Sequence, residues 1–65
     1  MKLRVNGEER SFAAATLAAL VAELGMKSDR VAVELNRAIV PRAVWEATPL
    51  REGDELEIVH FVGGG

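Results

Sequence analysis

The sequence predicts an α+β fold of the β-grasp type, a mixed sheet of four to five strands packed on one helix. Three observations lead there. Apolar and polar residues alternate near the start, middle and end of the chain, one stretch between them takes a helical period, and the elements run strand, strand, helix, strands. A single short helix covers one face of such a sheet and leaves the other to solvent or to a partner.

Met1, Leu3 and Val5 alternate with Lys2, Arg4 and Asn6, the period-2 pattern of a strand with one buried face. Asn6-Gly7 follows, and because a type I′ turn needs positive φ at both central residues, this dipeptide predicts a hairpin whose return strand spans residues 8–12 with Phe12 inward. From Thr16 to Leu24 the period changes: Leu17, Leu20, Val21 and Leu24 form one apolar stripe, with Thr16 as N-cap and Gly25 as terminator. Ala13 to Ala15 are read as the connection into this helix. Val31, Val33 and Leu35 alternate with Ala32, Glu34 and Asn36 as a third strand, and Ile39-Val40-Pro41 reads as a short or edge strand, since proline donates nothing to a ladder. Residues 42–49 are expected to form an irregular loop holding Trp45, and Glu52-Gly53-Asp54 marks the turn into a last strand through Leu56, Ile58 and His60. The helix stripe is then expected to pack on Leu3, Val5, Val33, Leu56 and Ile58. The outer face of the last strand carries Val59 and Phe61. Residues 1–62 are read as the folded domain and 63–65 as a flexible glycine tail.

A chain of 65 residues has room for one small core and no second lobe. Its 49% apolar and 28% charged residues are those of a folded domain, and with no cysteine the stability must come from packing. The eight basic residues are scattered, which argues against a nucleic-acid surface, while Glu52, Asp54, Glu55 and Glu57 are concentrated ahead of and within the last strand. With neither a signal-peptide h-region nor an apolar membrane span, the chain is expected to be cytoplasmic, off the membrane, and monomeric when free.

The inventory for catalysis is thin: one histidine, no tyrosine, and serine only at positions 11 and 28. His60 lacks the further ligands a metal site requires and reads as an ordinary strand histidine. No glycine-rich phosphate loop precedes a helix, so a nucleotide would have to be bound by another protein. Val62-Gly63-Gly64-Gly65 remains. Glycines without Cβ let an extended chain pass through a narrow channel and present a carboxylate to another protein's active site. A carboxylate is a poor electrophile at neutral pH and needs activation, for example by adenylation. Taken alone, a terminal glycine run is more often a frayed end.

In combination, these segments resemble the small sulfur carriers of thiamin biosynthesis, the ThiS family, over essentially the whole chain. MKLRVNGEER is similar to the family's first hairpin, TLAALVAELG to its helix, VAVELNRAIVPRAVW to its central strands with the N-x-x-I-V-P-R element, and LREGDELEIVHFVGGG to its closing turn, strand and tail. The resemblance implies a ubiquitin-like fold and a carrier that is not itself an enzyme. It also implies a thiocarboxylate on Gly65, with Gly63 and Gly64 threading the tail. The implied partners are a ubiquitin-activating-like, ThiF-like adenylyltransferase using ATP and Mg, a sulfur donor such as a cysteine desulfurase, and thiazole synthase (ThiG-like) as acceptor. No cofactor or metal is expected on this chain. Val59, Phe61, Glu52, Asp54, Glu55 and Glu57 are the expected partner-binding residues, an apolar patch with a charged rim.

Gly63 stands where other members carry another small or apolar residue, which leaves the required Gly-Gly intact. The competing readings are a molybdopterin synthase small subunit, whose Pro-Pro-Val-type approach His60-Phe61-Val62 does not match, and a β-grasp binding module or protein modifier. Trp45 is read as a lid over the core edge in preference to an interface anchor. Arg42 is read as a solvated surface arginine.

Overall fold

The hairpin turn closes as its dipeptide demands. In the computed structural model, which describes residues 1–61, Asn6 and Gly7 have φ of 50° and 84°, and they join β1 (Lys2–Val5) to β2 (Glu8–Ser11) in antiparallel pairing. The return strand stops one residue short of the expected 8–12. Phe12 still turns inward and is buried. A second turn of the same kind joins β3 (Val31–Leu35) to β4 (Ala38–Ile39), with Asn36 at φ 50° and Arg37 at φ 73°.

The helix, α1, runs Leu17–Glu23. Thr16 caps it, its hydroxyl accepting from Ala19 N at 3.2 Å, and Gly25 at φ 74° ends it. Leu17, Leu20 and Val21 are buried and Leu24 packs partly against them, as the stripe requires. Ala13 to Ala15 stay outside the helix because the Glu23 carboxylate accepts from Ala13 N and Ala14 N, at 2.9 to 3.1 Å.

The region expected to be irregular is a 3₁₀ helix, Arg42–Ala47, and a shorter 3₁₀ turn spans Ser28–Arg30. Neither shows in the sequence, because three to six residues are too few for an apolar stripe. Trp45 is 3% exposed and its Nε1 donates to Val40 O at 2.8 Å, which makes it a core side chain and settles the lid reading.

β5 (Glu55–His60) lies in the middle of a five-stranded sheet ordered β2-β1-β5-β3-β4, parallel to β1 and antiparallel to β3. Leu3, Val5, Val33, Leu56 and Ile58 all face α1 and are buried, as expected from their alternation. The β-grasp expectation holds. Residues 62–65, which include the predicted tail Gly63, Gly64 and Gly65, lie outside the described residues. No helix among the described residues is long and apolar enough to cross a membrane.

Candidate functional site

The face of the sheet away from α1 is uncovered among the described residues, and β5 runs down its centre. Strand alternation puts Glu55, Glu57 and Val59 on this face, and Phe61 follows in the same register, one residue beyond the strand. Cross-strand pairing then fixes their neighbours. Glu55 lies opposite Arg4 of β1, Glu57 opposite Glu34 of β3, and Val59 opposite Ala32. Phe61 N donates to Arg30 O at 2.8 Å.

Val59 and Phe61 are 59% and 56% exposed, too open for side chains whose role is core packing. Ile39 of β4, opposite Glu34, is 76% exposed on the same face, with Glu34 between it and Glu57 of β5. Sequence reasoning missed Ile39. The signal was present, since Ile39 and Val40 are adjacent and a strand sends only one of two neighbours inward; Val40 is the one packed against the core.

The acidic residues divide into two groups. Glu55 and Glu57 stand on the open face beside Val59. Glu52 and Asp54 belong to the turn at the opposite end of β5, with Asp54 seven residues before Phe61, roughly 23 Å at strand rise. There Glu52 Oε1 accepts from Lys2 N at 3.0 Å, while Asp54 accepts from Asn36 Nδ2 at 3.1 Å and Arg51 N at 2.8 Å. Those carboxylates hold the turn and leave Glu55 and Glu57, with Glu34, as the charged rim. The one ion pair among the described residues joins Lys2 and Glu9 at 3.8 Å, so the three rim glutamates have no cation within salt-bridge distance there.

His60 is exposed at the end of β5, beyond the helix, and no group of His, Cys, Asp or Glu that could hold a metal occurs among the described residues. What the arrangement offers is an open surface, apolar at one end and lined at its middle by Glu34, Glu55 and Glu57 beside Arg4 and Arg37, on a strand that precedes Gly63-Gly64-Gly65 in the sequence. That suits docking.

The model of the ThiS family matches residues 3–65. The chain is 53% identical over 66 residues to a thiazole synthase of Paramagnetospirillum magneticum, covering 100% of this chain and 20% of that protein, so it spans about one fifth of that relative's length. It is 34% identical over 65 residues to the sulfur carrier protein ThiS of Bacillus subtilis, covering 97% of this chain and 98% of that one. The crystal structure of the thiamine biosynthesis protein ThiS from Geobacter metallireducens superposes with a TM-score of 0.84 at 33% identity, over 100% of both chains.

Proposed function

The chain belongs to the ThiS family of sulfur carriers in thiamin biosynthesis, and from that premise we propose that it carries sulfur as a thiocarboxylate on Gly65. The observation that carries the reading is the family match itself, which runs through the glycine segment to residue 65 and is joined to a carrier matched over nearly its whole length.

The chemistry follows from the weakness of a carboxylate as an electrophile. Attack of the Gly65 carboxylate on ATP, held with Mg by a partner, forms an acyl-adenylate and releases pyrophosphate. A sulfide-level nucleophile then adds to the carbonyl carbon. The C–S bond forms, the C–O bond to the phosphate breaks, AMP leaves with that electron pair, and loss of the sulfur's proton leaves the thiocarboxylate. A cysteine desulfurase suits the role of donor, with a thiol reductant supplying the two electrons that release the sulfane sulfur of its persulfide at the sulfide level. Thiazole synthase suits the role of acceptor, because a relative bearing that name contains a segment like this whole chain. The chain supplies no catalytic side chain to these steps. It supplies a carbonyl on a glycine stem that lacks side chains to obstruct a channel.

Docking is assigned to the open sheet face, with Val59, Phe61 and Ile39 as apolar contacts and Glu34, Glu55 and Glu57 as the rim met by a basic partner surface. Intact-mass analysis of protein co-expressed with its adenylyltransferase and a cysteine desulfurase tests the central step. A fraction heavier by one oxygen-to-sulfur exchange, mapped to Gly65, is expected. Sulfur on an internal residue, or none at all, overturns the reading.

A further inference from the structure

Backbone hydrogen bonds along β5 alternate in direction, and following them shows where the sheet stops being closed. Asn36 N donates to Glu55 O and Phe61 N to Arg30 O, both at 2.8 Å, so the odd-numbered residues of β5 bond toward β3. The even-numbered ones face β1. Asp54 O accepts from Arg4 N and Leu56 O from Asn6 N, each at 2.9 Å. At Ile58 the backbone of β1 has run out, and the Asn6 side chain takes its place: Oδ1 accepts from Ile58 N at 2.8 Å and Nδ2 donates to Ile58 O at 3.2 Å.

His60 is the next even-numbered residue. Its N–H and C=O point to the side from which β1 has departed, because the chain has turned at Asn6-Gly7 into β2. Among the described residues, a strand in the middle of the sheet thus ends with an open edge.

The other two edges are guarded. β2 carries Glu8, Glu9 and Arg10, and β4 is two residues long with Pro41 close behind it. Charge, shortness and proline are the devices that discourage strand addition. Val59-His60-Phe61 has none of them.

We propose that an extended segment of the adenylating partner adds to this edge as a strand, taking up the ladder at His60 where the Asn6 amide leaves off. The assignment rests on the adenylation reading above. Two features of the chain select such an occupant. Gly63, Gly64 and Gly65 offer a partner no side chains to grip, so peptide groups are what it must recognise. Val59 and Phe61, more than half exposed, supply the side-chain contacts that give strand addition its specificity.

The test uses the complete chain prepared by chemical synthesis, with an ester in place of the amide at His60, which removes the N–H that faces the open edge. An ester at Val59, whose N–H faces β3, serves as the fold control. With the adenylyltransferase and ATP, pyrophosphate exchange by the His60 ester should show KM raised roughly 3- to 10-fold with kcat at saturation near normal. Its melting temperature should fall less than that of the Val59 ester. In the all-amide protein, hydrogen exchange at His60 should be fast when free and slow in the complex. An unchanged KM, or a His60 amide that exchanges equally fast in a demonstrated complex, overturns the inference and leaves the carrier function standing. Protection at His60 in the free protein that grows with its concentration assigns the edge to a second copy and also overturns it. Absence of pyrophosphate exchange by the all-amide protein sinks the adenylation reading, and this inference with it.

Discussion

Asn6 and Arg37 take the first and second central positions of two turns of the same kind, and the same substitution at each should have opposite effects. Both have positive φ, 50° and 73°, which glycine adopts without strain. Asn6 earns its place through two hydrogen bonds to Ile58. Asn6→Gly keeps the backbone conformation accessible and removes both bonds, so a loss of about 1–3 kcal/mol is expected, read from urea denaturation midpoints. Arg37 is exposed and makes no side-chain hydrogen bond or ion pair among the described residues. Arg37→Gly should raise stability by about 0.5–1 kcal/mol in the same assay. A loss at 37 would mean that its guanidinium stabilises the acidic face from a distance. Trp45 belongs to this scale too: Trp45→Phe keeps most of the apolar volume, strips Val40 O of its donor, and should cost about 1–3 kcal/mol.

The central strand carries a like-charge pair, since Glu57 stands directly opposite Glu34 on the open face. Such pairs are destabilising by roughly 0.2–1 kcal/mol. Glu57→Gln should therefore stabilise the free protein at low salt, and the gain should shrink as ionic strength rises. A gain independent of salt would point to a packing cause instead. Charge reversal at Glu55 and Glu57 should slow association with the adenylyltransferase, most strongly at low salt, in stopped-flow measurements. Asp54 is unsuited to that experiment. Its carboxylate accepts from Asn36 Nδ2 and Arg51 N, so reversing its charge opens the turn before any partner is involved.

For the whole molecule the prediction is a division of labour between the globular face and the tail. Ordering each residue's backbone costs roughly 1–2 kcal/mol, with glycine at the high end, so threading Gly63 to Gly65 opposes binding until hydrogen bonds in the channel offset it. Deleting Gly64 and Gly65 should abolish pyrophosphate exchange and weaken the complex only modestly. Phe61→Ala should weaken the complex and leave turnover at saturation nearly normal. Calorimetric affinities for both variants, beside the exchange assay, decide the matter. If the truncated protein loses most of its binding free energy, the tail is the main anchor.

What the sequence determined by itself is whatever short-range periodicity and turn chemistry encode. The Asn6-Gly7 hairpin, the Leu17–Leu20–Val21 stripe, its Thr16 cap and Gly25 stop, and the inward register of Leu3, Val5, Val33, Leu56 and Ile58 each depend on residues a few positions apart. The glycine segment is likewise a local composition, and its proposed role comes from the family match that reaches residue 65. Tertiary structure decided what depends on residues distant in the chain. Asp54 and Glu57 are equivalent acids in the sequence, yet one ties a turn to Asn36, 18 residues away, and the other stands on an open face with no ion pair among the described residues. Trp45 became a core residue only because a 3₁₀ helix, too short to leave a periodic trace, aims its indole at Val40. The open edge at His60 was the least legible. It exists because β1 ends at a turn, and the consequence falls on a residue 54 positions later, where β5 outruns its neighbour.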